Sequence, residues 1–263
     1  MNQATGAAAG RRGRLLLVPA PLDFGCASQA PLTDVLPLAT LQAAAGLRHW
    51  ICENARSTRA YLKRIGELHP LSMPLQGLDI QELPREVHKK GDHDGSTFDA
   101  RPLLTPALQG EDVGLVSEAG MPAIADPGSS VVRAAHGLGL EVHALVGPSS
   151  VLLALAAAGL NGQSFAFVGY LPQEAAGRTQ RIRDLESLAR KTGQSQVFIE
   201  TPYRNAALLD ALLAQLQPDT RLALSSGLTL PQSCSISLTV RQWKADANRR
   251  PDLGLPTVFA IGR

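Results

Sequence analysis

Short apolar runs recur along this chain. Each breaks into a loop rich in Gly and Pro and then into a segment whose apolar positions repeat at helical spacing. The run LLLV at 15–18 predicts a strand that ends in the stiff loop Pro19-Ala20-Pro21-Leu22. A helix is expected over 36–45, a strand over 49–52, and a loop leading into a helix over 53–65, where Ala60, Tyr61 and Ile65 can share a face. Residues 72–97 mix Pro74, Gly77, Pro84, Gly91 and Gly95 with the charged run HKKGDHD, and read as a long surface loop. A helix over 100–109 closed by Gly110 then precedes the strand Val113 to Val116.

The rhythm continues with a helix over 129–138, a strand over 142–145, and GPSS running into the apolar VLLALAAAGL as a third strand, loop and helix. A strand over 165–169 ends in Tyr170-Leu171-Pro172, which is read as the hinge into a second domain. Beyond it come helices over 176–191 and 205–215, strands over 196–199 and 222–225, and two β stretches, 235–240 and 258–262, with no helix between them. Strands without intervening helices predict a mixed sheet. The expected fold is α/β: a disordered tail over 1–13, an N-terminal domain over 14–168 with a parallel-rich sheet, and a C-terminal domain over 169–263 with a mixed one.

At 263 residues the chain can bury two real cores, and 44% hydrophobic with 18% charged residues is ordinary globular composition. The net charge of +2 comes from the second half, which permits a polyanionic partner without demanding one. Cys26, Cys52 and Cys234 are too few and too scattered for a disulfide framework, and none has the spacing of a zinc site. A cytoplasmic protein without a metal is expected. Arg11 and Arg12 precede an apolar run, but Pro19 and Pro21 break it, and no stretch has the length of a membrane span.

The most informative segment is GLVSEAGMPAIADPG, from Gly114 to Gly128. A buried strand leads there into a loop at its carboxyl end, the end where open α/β sheets bind ligands. Gly lets a ligand approach the main chain, and Pro holds the loop without added entropy cost. Ser149 or Ser150, opening the next helix, suits an N-cap, and a hydroxyl with free N–H groups there could equally hold a polar ligand group.

Six motifs in order resemble one family: VPAPL (18–22), CENAR (52–56), LVSEAGMPAIADPG (115–128), LVGPSS (145–150), AAGL with GYLP (157–172), and IETPYR (199–204). The chain resembles the tetrapyrrole-methylase-like, class III S-adenosylmethionine-dependent methyltransferases, and within them the small-subunit ribosomal RNA 2′-O-methyltransferase I branch. The resemblance implies two α/β domains, a homodimer, and S-adenosyl-L-methionine held between the domains. It places Pro21, Ser117, Glu118, Ala119, Gly120, Met121, Pro122, Ile124, Asp126, Ser149, Ser150, Tyr170, Leu171 and Thr257 around that donor. Arg56, Arg178 and Arg181 are the expected contacts to an RNA or ribosomal-subunit substrate.

A sulfonium donor carries its own leaving group, so the protein mainly has to align the methyl group and exclude water. For a ribose hydroxyl acceptor a base is still useful, and Glu53, Glu118 and Glu200 are the candidates. The substrate half departs from the branch pattern: Glu53-Asn54-Ala55-Arg56 stands where the branch has Glu-Asp-Thr-Arg. Uncharged Ser225 to Leu230 replaces an Arg-Glu-Leu-Thr-Lys run. Fewer cations weaken a grip on phosphates, so the substrate surface is read as diverged. The alternatives are a tetrapyrrole or other small-molecule acceptor, or a noncatalytic scaffold that keeps the donor site.

Overall fold

A computed structural model describes residues 11–90, 92, 98–246 and 249–263, with the backbone alone at 88–90. Five strands form a wholly parallel sheet: β1 (Arg14–Leu17), β2 (His49–Cys52), β3 (Asp79–Glu82), β4 (Val113–Val116) and β5 (Glu141–Ala144). Their order across the sheet is β3-β2-β4-β1-β5. Alternate side chains leave opposite faces of a strand. Leu16, Trp50, Cys52 and Val116 therefore meet α2 (Leu38–Gly46) and α3 (Ala55–Gly66) in one core. Leu15, Ile51, Val113 and Leu115 meet α6 (Ser129–Gly137) in another. Gly114 lets the sheet close on Trp50, since a Cβ there would lie 2.8 Å from the indole.

Several expectations shift locally. The helix expected over 36–45 is α2, which starts after Pro37, a residue with no N–H to donate, and an unexpected short helix, α1 (Leu32–Val35), precedes it. The helix expected over 100–109 is a 3-10 turn at Arg101–Leu104 followed by one turn, α5 (Thr105–Leu108), with Pro102 and Pro106 at the two starts. The expected surface loop over 72–97 holds strand β3 and helix α4 (Arg85–Lys90). Strand β3, reading DIQE, has one apolar residue, and β2 recruits it as a sheet edge in register, His49 opposite Asp79 and Cys52 opposite Glu82.

The second sheet is mixed: β6 (Phe165–Tyr170), β7 (Ser195–Glu200), β10 (Thr257–Gly262), β8 (Arg221–Ser226) and β9 (Cys234–Thr239), in that order across it. β6 pairs parallel with β7, and the other pairs are antiparallel. One face carries Phe198 and Phe259, stacked with centroids 5.9 Å apart, against α8 (Ala175–Thr192), α9 (Asn205–Gln215) and α10 (Val240–Ala245). The other face takes α7 (Ser150–Ala158), whose Val151, Ala154, Leu155 and Ala158 pack on Val197, Ala223, Val258 and Ala260.

The chain thus divides at Pro148/Ser149, with Leu22–Ala30 grouped with the second unit, and not at 168/169 as the sequence implies. Helix α7 and strand β6 continue the first half's rhythm, but their apolar faces fit the second sheet. The hinge expected at Tyr170-Leu171-Pro172 is corrected likewise, because Leu171 is buried in the second unit's core with Ile182 and Leu208. Of the expected tail, residues 1–10 lie outside the described residues. Arg12 and Gly13 are held by hydrogen bonds to the Leu138 and Ala107 carbonyls, at 2.7 Å and 2.8 Å.

Candidate functional site

The connections decide where the first unit opens. Helix α2 follows β1 on one face and α6 follows β4 on the other, yet β1 and β4 are neighbours. Their carboxyl ends therefore diverge at a topological switch point, where the main chain makes a crevice. The loops are tied there by two hydrogen bonds between Ala20 and Gly120, at 2.9 Å and 3.0 Å. Gly120 sits at φ +69°, and Gly128 at φ +135° ends the loop. Between them Ala123 (φ +62°) and Ala125 (φ +67°) occupy the left-handed region, which disfavours any side chain. The neighbouring β5 loop comes close as well: a Cβ on Gly147 would lie 2.2 Å from Pro19 Cγ.

Three carboxylates gather at this end of the sheet. Glu53 follows β2, and its Oε1 accepts from the Glu118 amide at 3.3 Å. The Glu118 carboxylate accepts from Ser57 Oγ at 3.2 Å, on a helix capped by Asn54, which takes the Arg56 and Ser57 amides. Burial, reinforced by the charges of Glu53 and Glu118, pushes the Asp126 carboxyl up to about 7. Ser117, immediately after β4, is 5% exposed, and its hydroxyl is buried without a hydrogen-bond partner. A buried hydroxyl without a protein partner at the head of this loop is available to bond a ligand.

Ala119, Gly120, Met121, Pro122 and Asp126 follow in the same loop, with Ile124 half exposed, and Pro21 adjoins Ala20 of the bridge. Asp92, a residue that sequence reasoning missed, holds the loop's far end. Its buried carboxylate caps α6 and is held down to about 2 by hydrogen bonds from Ser129, Ser130 and Gly128 that outweigh its desolvation. Ser57 was missed too, although it directly follows the CENAR motif. Nothing in the sequence marks Asp92, which lies 36 residues before Gly128.

The remaining expected residues belong to the second unit, save Arg56, which is exposed on α3. Ser149 is the N-cap of α7, though its side chain makes no capping bond, and Ser150 is the first helical residue. Tyr170 is 56% exposed, whereas Leu171 is buried. Glu200, a candidate base, is engaged by its own neighbours: its Oε1 accepts from the Thr201 amide at 2.7 Å and from Arg204 Nη2 at 2.7 Å. Thr257 is buried, with its hydroxyl donating to the Leu255 carbonyl at 3.0 Å. Arg178 and Arg181 start α8, where Glu174 caps the helix and Arg178 donates to the Gln173 carbonyl. Among the described residues no group of His, Cys, Asp and Glu is arranged to hold a metal ion, and no helix is long and apolar enough to cross a membrane.

A parallel sheet joined in one chain to a mixed sheet is an α/β fold that solved methyltransferases share. The methyltransferase CobJ superposes with a TM-score of 0.55 at 20% identity, covering 95% of this chain and 94% of that one. The native form of uroporphyrin III C-methyl transferase from Thermus thermophilus gives 0.51 at 16%, covering 95% and 98%. The sequence model of the Tetrapyrrole (Corrin/Porphyrin) Methylases matches residues 40–242, well over half of the chain, and the chain belongs to that family.

Its curated relatives include ribosomal RNA small subunit methyltransferase I of Mesorhizobium japonicum, 36% identical over 138 residues, which are 52% of this chain and 46% of that protein. The Pseudomonas aeruginosa protein of the same name is 43% identical over 103 residues, 39% and 34% of the two chains. That of Escherichia coli O157:H7 is 33% identical over 155 residues, 57% and 53%. The chain spans about half the length, or less, of these relatives.

Proposed function

We propose that this protein is an S-adenosyl-L-methionine-dependent methyltransferase related to the ribosomal RNA ribose 2′-O-methyltransferases, with a diverged substrate surface. The observation that carries the proposal is the Ser117–Gly128 loop at the switch point, where a buried hydroxyl lacks a partner and the main chain comes close on glycine. The residues fit the donor's chemistry: Ser117 Oγ and loop amides suit its polar groups, and Glu53, Glu118 and Asp126 suit its positive charge. When bound, the donor supplies an activated methyl group with a neutral thioether as leaving group.

The protein's share of the work is to orient and to exclude water. The Ala20–Gly120 bridge fixes the loop before ligand arrives, so little entropy is lost on binding. Glu53 and Glu118, side by side, are placed to accept a proton from an acceptor hydroxyl, and the Ser57 hydroxyl orients Glu118. Glu200 is the less favoured candidate for that role, since Arg204 already holds its carboxylate. Ser149, Ser150, Tyr170 and Leu171 are assigned to the donor as well. Arg56, Arg178 and Arg181 are assigned to an RNA or ribosomal-subunit substrate.

The protein acts as a cytoplasmic homodimer in this reading. The free thiols of Cys26, Cys52 and Cys234 suit a reducing compartment. Leu152 and Leu153, 55% and 40% exposed on α7, offer apolar surface to a second copy. One observation favours a small-molecule acceptor as second reading: Ser225 and Ser226 are buried, and their hydroxyls bond Ser235 and the Asp252 carbonyl, so neither is free to grip phosphate.

The test is incubation with labelled donor and a lysate divided into ribosomal subunits, free RNA, protein and small molecules, alongside donor-induced thermal stabilisation. Label in RNA, lost on Arg178→Ala with Arg181→Ala while the thermal shift remains, supports the first reading. Label in small molecules supports the second. A thermal shift without transfer identifies a scaffold, and no shift refutes donor binding.

A further inference from the structure

Asp92 is 3% exposed, and its carboxylate is fully used. Oδ2 accepts from the Gly128 amide at 3.0 Å, the Ser130 amide at 2.8 Å and Ser130 Oγ at 2.7 Å, while Oδ1 accepts from Ser129 Oγ at 2.7 Å. Arg133 completes the clasp from α6, donating to the Asp92 carbonyl and to Ser129 Oγ. A helix cap needs one or two such bonds. Here the same oxygen also fixes Gly128, which is the last residue of the loop and lies before the helix.

Gly128 also lies beside the left-handed part of the loop. A Cβ on it would lie 3.3 Å from Ala123 Cβ and 3.0 Å from Leu115 Cδ2, so only glycine leaves Ala123 room at this closing end of the loop. The loop is thus pinned twice, by Ala20 at Gly120 and by Asp92 at Gly128, with two left-handed alanines between the pins. Such residues keep their conformation only where the surroundings over-determine it.

We infer that Asp92 is a positioning residue, whose carboxylate holds residues 120–128 in the shape that accepts the methyl donor. This rests on the donor-binding reading above, and it acts through the loop, with Asp92 itself making no donor contact. Substitution of Asp92 releases the second pin, and the alanines then relax to negative φ at a cost in donor affinity. Glycine at exposed position 125, where the side chain makes the left-handed conformation costly, should restore part of that affinity.

The experiment uses the full chain with Asp92→Ala, Asp92→Asn, the gentler Ser129→Ala/Ser130→Ala pair, and Asp92→Ala combined with Ala125→Gly. Donor affinity is measured by calorimetry and loop mobility by amide hydrogen exchange without ligand. The expected result is faster exchange in 120–128 with β4 unchanged and donor Kd raised about tenfold by Asp92→Ala, equivalent to about 1.4 kcal/mol. Asp92→Asn and the serine pair should weaken binding less, and Ala125→Gly should recover about half of the logarithmic loss.

A lowered melting temperature with unchanged Kd and unchanged loop exchange overturns the proposal, because Asp92 would then be a helix cap alone. Should Asp92→Ala fail to fold, the serine pair decides by the same two readouts. Wild-type protein that binds no donor refutes the donor reading, while loop exchange still decides whether the clamp exists.

Discussion

Replacing Asp126 with Asn tests the electrostatics of the loop directly. The carboxyl titrates near 3.8 when unfolded and about 7 in the folded chain, where burial and the charges of Glu53 and Glu118 disfavour ionisation. A carboxyl whose folded pKa is raised costs nothing below its unfolded value. The cost grows as pH rises from about 4 and is complete above about 7. Three pKa units correspond to a ceiling of about 4 kcal/mol at high pH. At pH 5 roughly 2 kcal/mol of this is already present, so the increment to pH 8.5 is about 2 kcal/mol, or about 1 after allowance for solvent screening.

Asparagine keeps the shape and removes the charge. Urea unfolding of wild type and Asp126→Asn at pH 5 and pH 8.5 should therefore show the variant gaining about 1 kcal/mol relative to wild type between the two conditions. The m-value should stay unchanged. An equal difference at both pH values, or a variant that loses ground as pH rises, refutes the clustering of the three carboxylates.

Ser117→Ala removes a buried hydroxyl that has no partner, so it should stabilise the protein by about 1 kcal/mol while weakening donor binding several-fold; a drop in melting temperature would contradict this. Gly120→Val places a β-branched side chain at φ +69°, costing about 1–2 kcal/mol and abolishing the donor-induced thermal shift, and a normal shift would disprove the loop assignment. Gly147→Ala drives a methyl group to 2.2 Å from Pro19 Cγ and 3.0 Å from Leu36 Cδ2. It should cost about 1–3 kcal/mol in chemical denaturation, and a neutral result would show that the β5 loop yields freely.

Strands β2 and β4 could be read residue for residue, as could helix α9, because apolar segments bounded by Gly, Pro or polar residues have one local solution. Strand β3 could not. DIQE is polar, and it becomes a strand because β2 leaves an unpaired edge beside it. The loop after β4 was legible as a candidate ligand site from its glycines and prolines, but two of its supports came from elsewhere. Asp92 reaches it from beyond α4, and Glu53 reaches the Glu118 amide from the end of β2. Glu200 shows the converse: within IETPYR it reads as a base, and only the fold shows Arg204 bonded to it.

The sequence by itself determined the α/β alternation, the family and the chemistry of the Ser117–Gly128 loop, because these depend on residue type and on spacing along the chain. The tertiary structure alone decided that α7 and β6 belong to the second sheet, that Glu200 is engaged, and that a distant carboxylate closes the loop. Partner choice of this kind depends on which surfaces fit in three dimensions. The small apolar face of α7 matches Val197, Ala223, Val258 and Ala260, residues that stand well after it in the chain.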